Sequence, residues 1–204
     1  MIRGIAVMAC FLVLSSLSHA QHRDPLTPAE IDQLRDSAQE PDTRLKLYVA
    51  FARARLTALD TMRADPKVKD RAQKTHNGLE DFSSVYDELN DNLDSFLDRE
   101  YDLRKTLKLI IEADTEFQAK LHALNTEAKT TPEELKEYDF ALSTAIETVD
   151  ASADDHRKAL AEQEEAAKKK KLKKPDAPVD PKKSSFREEP WLPTTCIPGA
   201  LQCA

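Results

Sequence analysis

From Leu79 to Thr131 the chain contains neither glycine nor proline, and its apolar residues return every three or four positions. Leu79, Phe82, Tyr86, Leu89, Leu93, Phe96, Leu103, Leu107, Ile110, Phe117, Leu121 and Leu124 all obey this spacing. Such a repeat marks helix that buries one seam. Val68, Ala72 and Thr75 extend it upstream in phase, so the spacing predicts a continuous helical segment over 66–129. Asn77-Gly78 and Asn90-Asp91-Asn92 are the candidate breaks. At about 1.5 Å per residue an unbroken segment would reach ~95 Å. A helix that long needs several partner helices or a second subunit to cover its seam. Glu100 and Asp114 fall on the seam, where a polar residue fixes register or marks a bend.

Shorter helices precede and follow. Thr27-Pro28-Ala29-Glu30 carries a capping residue, a proline at the first helical position and a glutamate that completes a capping box. A second helix is expected from Asp42 or Thr43, with Leu45, Tyr48, Val49, Ala52, Leu56 and Leu59 on its core stripe. Leu47, Phe51, Ala54 and Ala58 form a second stripe. A helix apolar on two sides is sandwiched or faces a partner, which makes Leu47 and Phe51 candidate interaction residues. Arg44, Lys46, Arg53 and Arg55 flank these stripes and are expected to pair with the chain's surplus acids. Asp65-Pro66 reads as a helix start with Asp65 as cap. Thr131-Pro132-Glu133-Glu134 repeats the first start signal, and Leu135, Tyr138, Leu142, Ala145, Val149, His156 and Ala159 continue a three-four pattern. The short link before Thr131 predicts an antiparallel helical hairpin. Three glycines in the whole chain leave no phosphate-cradling loop. The expected fold is all-α: an elongated antiparallel coiled coil or bundle of about four helices with a disordered C-terminal tail.

Residues 1–20 read as a secretory signal peptide. Arg3 supplies positive charge, an apolar run of about ten residues follows, and Ser18-His19-Ala20 offers a cleavage site. The run is too short to span a bilayer, and no second apolar segment follows, so the cleaved chain is expected not to be transmembrane. Residues 21–174 form the helical domain and 175–204 the tail. The expected location is outside the cytoplasm, periplasmic or extracellular. There Cys196 and Cys203, flanking Pro198-Gly199, are expected to close a small disulfide loop, the rival being an intermolecular bridge.

Charge divides sharply. Residues 21–167 hold 20 Lys and Arg against 33 Asp and Glu, whereas residues 168–204 hold 9 against 4. Lys168, Lys169, Lys170, Lys171, Lys173 and Lys174, with Trp191 downstream, are candidate interaction residues for an anionic surface or an acidic protein. The rival reading is that these lysines complement a helix dipole. Without interleaved aromatics, and on an acidic exported body, they do not read as nucleic-acid binding. None of His22, His76, His122 and His156 falls in a zinc or di-iron helix motif. No catalytic residue, metal ligand or cofactor is expected. The function read from these features is that of an exported noncatalytic interaction or scaffold module of the envelope, partnered by itself or another envelope protein. The alternatives are a periplasmic holdase-like chaperone and a helical metal or haem carrier, for which Met62 with a histidine would be the axial pair.

Overall fold

The structure, a computed structural model, describes residues 24–127 and 130–172. Residues 1–20, read above as a signal peptide, lie outside the described residues, as do Lys173, Lys174, Trp191, Cys196, Cys203 and the rest of the proline-rich segment. Five helices and no strand occur among the described residues: α1 (Pro28–Asp36), α2 (Pro41–Ala64), α3 (Arg71–Asp98), α4 (Arg104–Asn125) and α5 (Pro132–Leu172). The described residues through Ala167 belong to one compact unit, and those from Lys168 to another.

The helix starts follow local chemistry. Thr27 caps α1 with a full capping box: its hydroxyl accepts from the Glu30 amide at 3.3 Å, and Glu30 accepts from the Thr27 amide at 2.8 Å. At α5 only half of the second box forms. The Glu134 amide donates to Thr131 Oγ1 at 3.2 Å, but the Glu134 carboxylate turns to Arg71. Helix α2 begins at Pro41, just ahead of the expected Asp42 or Thr43.

Two expectations are corrected. Asp65-Pro66 opens no helix. Asp65 Oδ1 accepts from the Lys67 amide at 2.9 Å and the Val68 amide donates to the Asp65 carbonyl at 3.3 Å, so the segment is an Asx-type turn. Helix α3 starts only after Asp70, in the left-handed region at φ 55°. Second, the expected 66–129 helix is replaced by α3 and α4, making five helices among the described residues rather than about four, and neither expected break is used. Gly78 and Asn90 lie inside α3. At Gly78 α2 comes close, since a Cβ there would meet Leu59 Cδ1 at 3.2 Å.

The true break is a Schellman motif built without glycine. Glu100 takes φ 60°, its amide donates to the Leu97 carbonyl at 2.8 Å, and the Tyr101 amide reaches back to the Phe96 carbonyl at 3.2 Å. The Phe96 and Tyr101 rings pack edge to face at 5.7 Å, supplying the apolar contact such caps use. From α5, Gln163 clips this turn by donating to the Tyr101 carbonyl at 2.8 Å and accepting from the Leu103 amide at 3.0 Å. A side chain bearing Cβ is disfavoured in the left-handed region by roughly 1–2 kcal/mol. Glu100→Gly is therefore expected to stabilise the protein by about 0.5–1 kcal/mol, after the entropy that glycine adds to the unfolded chain. Thermal unfolding should show a rise of a few degrees, and a fall would contradict this geometry.

Polar pairs give the helix directions. Arg44–Asn92 at 2.8 Å and Arg63–Thr75 at 2.9 Å run α2 antiparallel to α3. Arg53–Glu116 at 2.8 Å and Asp60–Lys120 at 2.5 Å run α2 parallel to α4, with a Thr106–Asp42 hydrogen bond at the far end. Gln118–Asp150 at 2.8 Å and Lys108–Glu164 at 3.1 Å run α4 antiparallel to α5. Helices α3 and α4 meet through buried rings: Phe82, Tyr86 and Phe117 pack with centroids 5.4–6.0 Å apart. The core residues Leu45, Leu79, Leu89, Leu107, Ile110 and Val149 are fully buried.

Helix α1 covers part of the second stripe of α2. Leu34, Phe51 and Leu47 belong to one apolar cluster, with Phe51 buried and Leu47 half-buried. Arg55 pins α1 through both Glu30 oxygens at 2.6 and 2.9 Å and the Pro25 carbonyl at 2.6 Å, while Arg44 donates to the Leu34 carbonyl at 2.8 Å. Burial would raise the Glu30 pKa, but the hydrogen bonds from Arg55 and Thr27 outweigh it and hold the carboxyl below its ordinary range. Ala54 and Ala58, the rest of that stripe, face solvent.

Candidate functional site: a buried polar network

Inside the bundle, three helices each contribute one polar side chain to a point where apolar packing would be expected. Asp114 of α4 is fully buried, and its seam position puts it there. Tyr86 of α3 donates its hydroxyl to Asp114 Oδ1 at 2.8 Å, and His156 of α5 shares a 2.8 Å hydrogen bond from Nδ1 with Asp114 Oδ2. Tyr86 is 0% exposed and His156 4%. A carboxylate out of water needs such donors, because an isolated buried charge is prohibitively costly. Burial first, and the neighbouring Asp114 charge second, push the Tyr86 phenol far above its usual pKa. The hydroxyl therefore stays protonated and can go on donating. The network continues outward through Ser152, which interacts with Tyr86 and accepts from Asn90 Nδ2 at 2.9 Å. Asn90 Oδ1 is buried without a hydrogen bond.

A second cluster closes one end of the bundle around Arg63, whose side chain is 5% exposed. Its guanidinium donates to Glu127 at 2.6 and 3.1 Å, to Thr75 at 2.9 Å and to Thr130 at 3.0 Å, and lies 5.3 Å from the centre of the Tyr138 ring. Arg71 makes a two-pronged pair with Glu134 at 2.7 and 2.8 Å, and Arg63 adds a longer contact to the same carboxylate at 3.5 Å. The Arg71 hydrogen bonds hold the Glu134 carboxyl below its usual range, against the opposing effect of burial.

Arg71 and Glu134 of the second cluster also line a surface groove with Asp65, Asp70, Glu133 and Glu137. A surface groove between α4 and α5 is lined by His122, Asp139, Glu147, Asp150 and Asp154. His122 Nε2 is 3.8 Å from Asp150 there. Among the described residues, no three His, Cys, Asp or Glu side chains are arranged to hold a metal ion. No described helix is long and apolar enough to cross a membrane.

The sequence-level candidates are dispersed. Phe51 and Leu47 belong to the fold's own packing, whereas Lys168, Lys169, Lys170 and Lys171 form an exposed helical stretch at the end of α5. Sequence reasoning placed Asp114 and His156 separately on apolar seams without pairing them, and it did not single out Arg63 or Gln163. No protein-family model, curated protein or solved structure matches the chain.

Proposed function

We propose that this chain is an exported, noncatalytic helical module that works by binding, through the outer faces of its helices and its basic C-terminal segment. The observation that carries this reading is how its polar groups are used. Tyr86, Asp114 and His156 pair with one another inside the bundle, while the lysines of 168–171 are exposed. The three-four spacing supports treating α2 to α5 as an antiparallel coiled-coil bundle, a scaffold that presents faces rather than a cleft. The leader-like residues 1–20 support export, to the periplasm or beyond, with another envelope component or a second copy as partner. A holdase-like chaperone is less well supported, because Leu47 and Phe51, the apolar residues such a role would expose, are taken up by packing.

Photo-crosslinking in the exporting cell tests the proposal. Crosslinkers placed singly at Ala54, Leu109, Phe140 and Lys170 sample exposed positions on α2, α4 and α5. At least one is expected to join the chain to a second protein or a second copy. If none forms an adduct and the chain sediments as a monomer, the interaction-module reading fails.

A further inference from the structure

The apolar seam of α5 does not by itself fix where that helix sits along the bundle. Its buried residues run from Tyr138 to His156, and three of them are alanines. A slide of one helical turn puts each residue in the place of the one four before it. Leu142 then replaces Tyr138, Ile146 replaces Leu142, Val149 replaces Ala145 and Ala153 replaces Val149. Each exchange is apolar for apolar, and cores tolerate such exchanges where total volume is kept. Even the Gln118 contact survives, because Asp154 arrives where Asp150 stood. A buried polar residue is one means by which packed helices choose a single register.

Two buried places resist the slide. Leu160 would take the place of His156 and leave the fully buried Asp114 facing a hydrocarbon side chain. Stripping a buried charge of its partner is strongly destabilising. Arg157, now half-exposed and paired with Asp154 at 2.8 Å, would take the buried place of Ala153. The slide also breaks contacts nearer the ends of α5: Glu134 with Arg71, the Tyr138 ring with Arg63, and the Gln163 clip. The first and last are partly exposed, and Arg63 keeps its hydrogen bonds to Thr75, Glu127 and Thr130. These weigh less than an orphaned buried carboxylate.

We propose that the hydrogen bonds joining Tyr86, Asp114 and His156 are a register lock, holding α5 in one of two seatings that lie one helical turn apart. Without the lock, α5 populates both. The slide would move Phe140 and its exposed neighbours by about 6 Å relative to α4. A surface built from both helices, such as the groove between His122 and Asp150, therefore exists in one register only.

Pulsed electron-spin distance measurements read the seating directly. Labels are carried on noncanonical amino acids at Leu109 of α4 and Phe140 of α5, 46% and 80% exposed, so that the native cysteines stay unlabelled. The full chain carries Arg157→Leu, which removes the penalty of burying a guanidinium. The network is either intact or replaced by Tyr86→Phe, Asp114→Leu and His156→Leu. With the network intact, one separation is expected. With it replaced, at least about one-fifth of the molecules should show a second separation about 6 Å longer, because Phe140 moves to the place of Lys136. A milder pair, Asp114→Asn with His156→Leu, should split the distances in the same way, and it decides the matter if the triple replacement loses helicity. A helical network-free variant that keeps the single separation overturns the lock. So does a split in Arg157→Leu alone, which would mean that the network does not select the register.

Discussion

Replacing Asp114 by alanine is expected to destabilise the protein by about 3–4 kcal/mol, read from the urea midpoint at neutral pH. The carboxylate is 0% exposed and accepts from Tyr86 and His156, one on each oxygen. Its removal strands a phenol and an imidazole in a closed site and leaves a void. Asp114→Asn keeps the volume but replaces one acceptor oxygen by a donor, so its cost should be smaller, about 1–2 kcal/mol. Replacing all three groups by apolar residues (Tyr86→Phe, Asp114→Leu, His156→Leu) should recover much of the alanine variant's loss. Nothing polar is then left unpaired. A change within about 1 kcal/mol on Asp114→Ala would mean that the network carries no such weight.

Tyr86 also sets an alkaline limit. Burial, then the Asp114 charge, makes its ionisation unfavourable in the fold, while an unfolded tyrosine ionises near pH ~10. The folded pKa is the higher one. Its contribution is therefore complete below pH ~10 and falls above it, where the unfolded chain releases the proton first. Burial raises the Tyr48 phenol in the same sense.

Arg63→Ala is the second large effect, at about 3–5 kcal/mol. The guanidinium is 5% exposed and joins α2 to Thr75 of α3, to Tyr138 of α5, and to Glu127 and Thr130 in the link between α4 and α5. Without it the half-buried Glu127 loses its close cation, and Glu134 keeps only Arg71. Arg63→Lys should lose nearly as much, because one ammonium cannot reproduce the fork that spans four partners. The pairing of Glu134 here, and of Glu30 with Arg55 at α1, shapes acid stability. Glu134 and Glu30 are both held below their ordinary carboxyl range, so the stability they add is present above pH ~4.5 and is lost as pH falls through their lowered values. Glu134→Gln should flatten the acid limb of the stability curve, and an unchanged limb would contradict the pairing.

Helices with local punctuation were legible in the sequence. Thr27-Pro28 and Thr131-Pro132 open α1 and α5 where their chemistry places them. The three-four seam identifies core residues from Leu79 to Leu121. The α3–α4 turn was not legible, because a glutamate occupies the left-handed position that glycine normally signals. Its trace is the run Asp98-Arg99-Glu100-Tyr101-Asp102, where the seam has no aliphatic residue between Phe96 and Leu103. Asp65-Pro66 misleads because an aspartate before proline serves an Asx turn as readily as a helix cap. The Asp114–His156 pair depends on the antiparallel register of α4 and α5, which no local pattern encodes. Arg63 sits four residues after Leu59 on the core stripe of α2, and the missing information was which acids the ends of the other helices bring to meet it.

If the polar chemistry of the body is spent inside the fold and the working surfaces lie outside it, one comparison tests this most directly. Capture from envelope extract is measured for wild type, a lysine variant with Lys168, Lys169, Lys170, Lys171, Lys173 and Lys174 all changed to Gln, and Asp114→Asn, at low and high salt, below the unfolding temperature of each. The expected result is that Asp114→Asn captures the same partner as wild type, while the lysine variant loses whatever capture is salt-sensitive. Loss of capture by a fully folded Asp114→Asn, with the lysine variant unaffected, would contradict the account and place the function at the buried network.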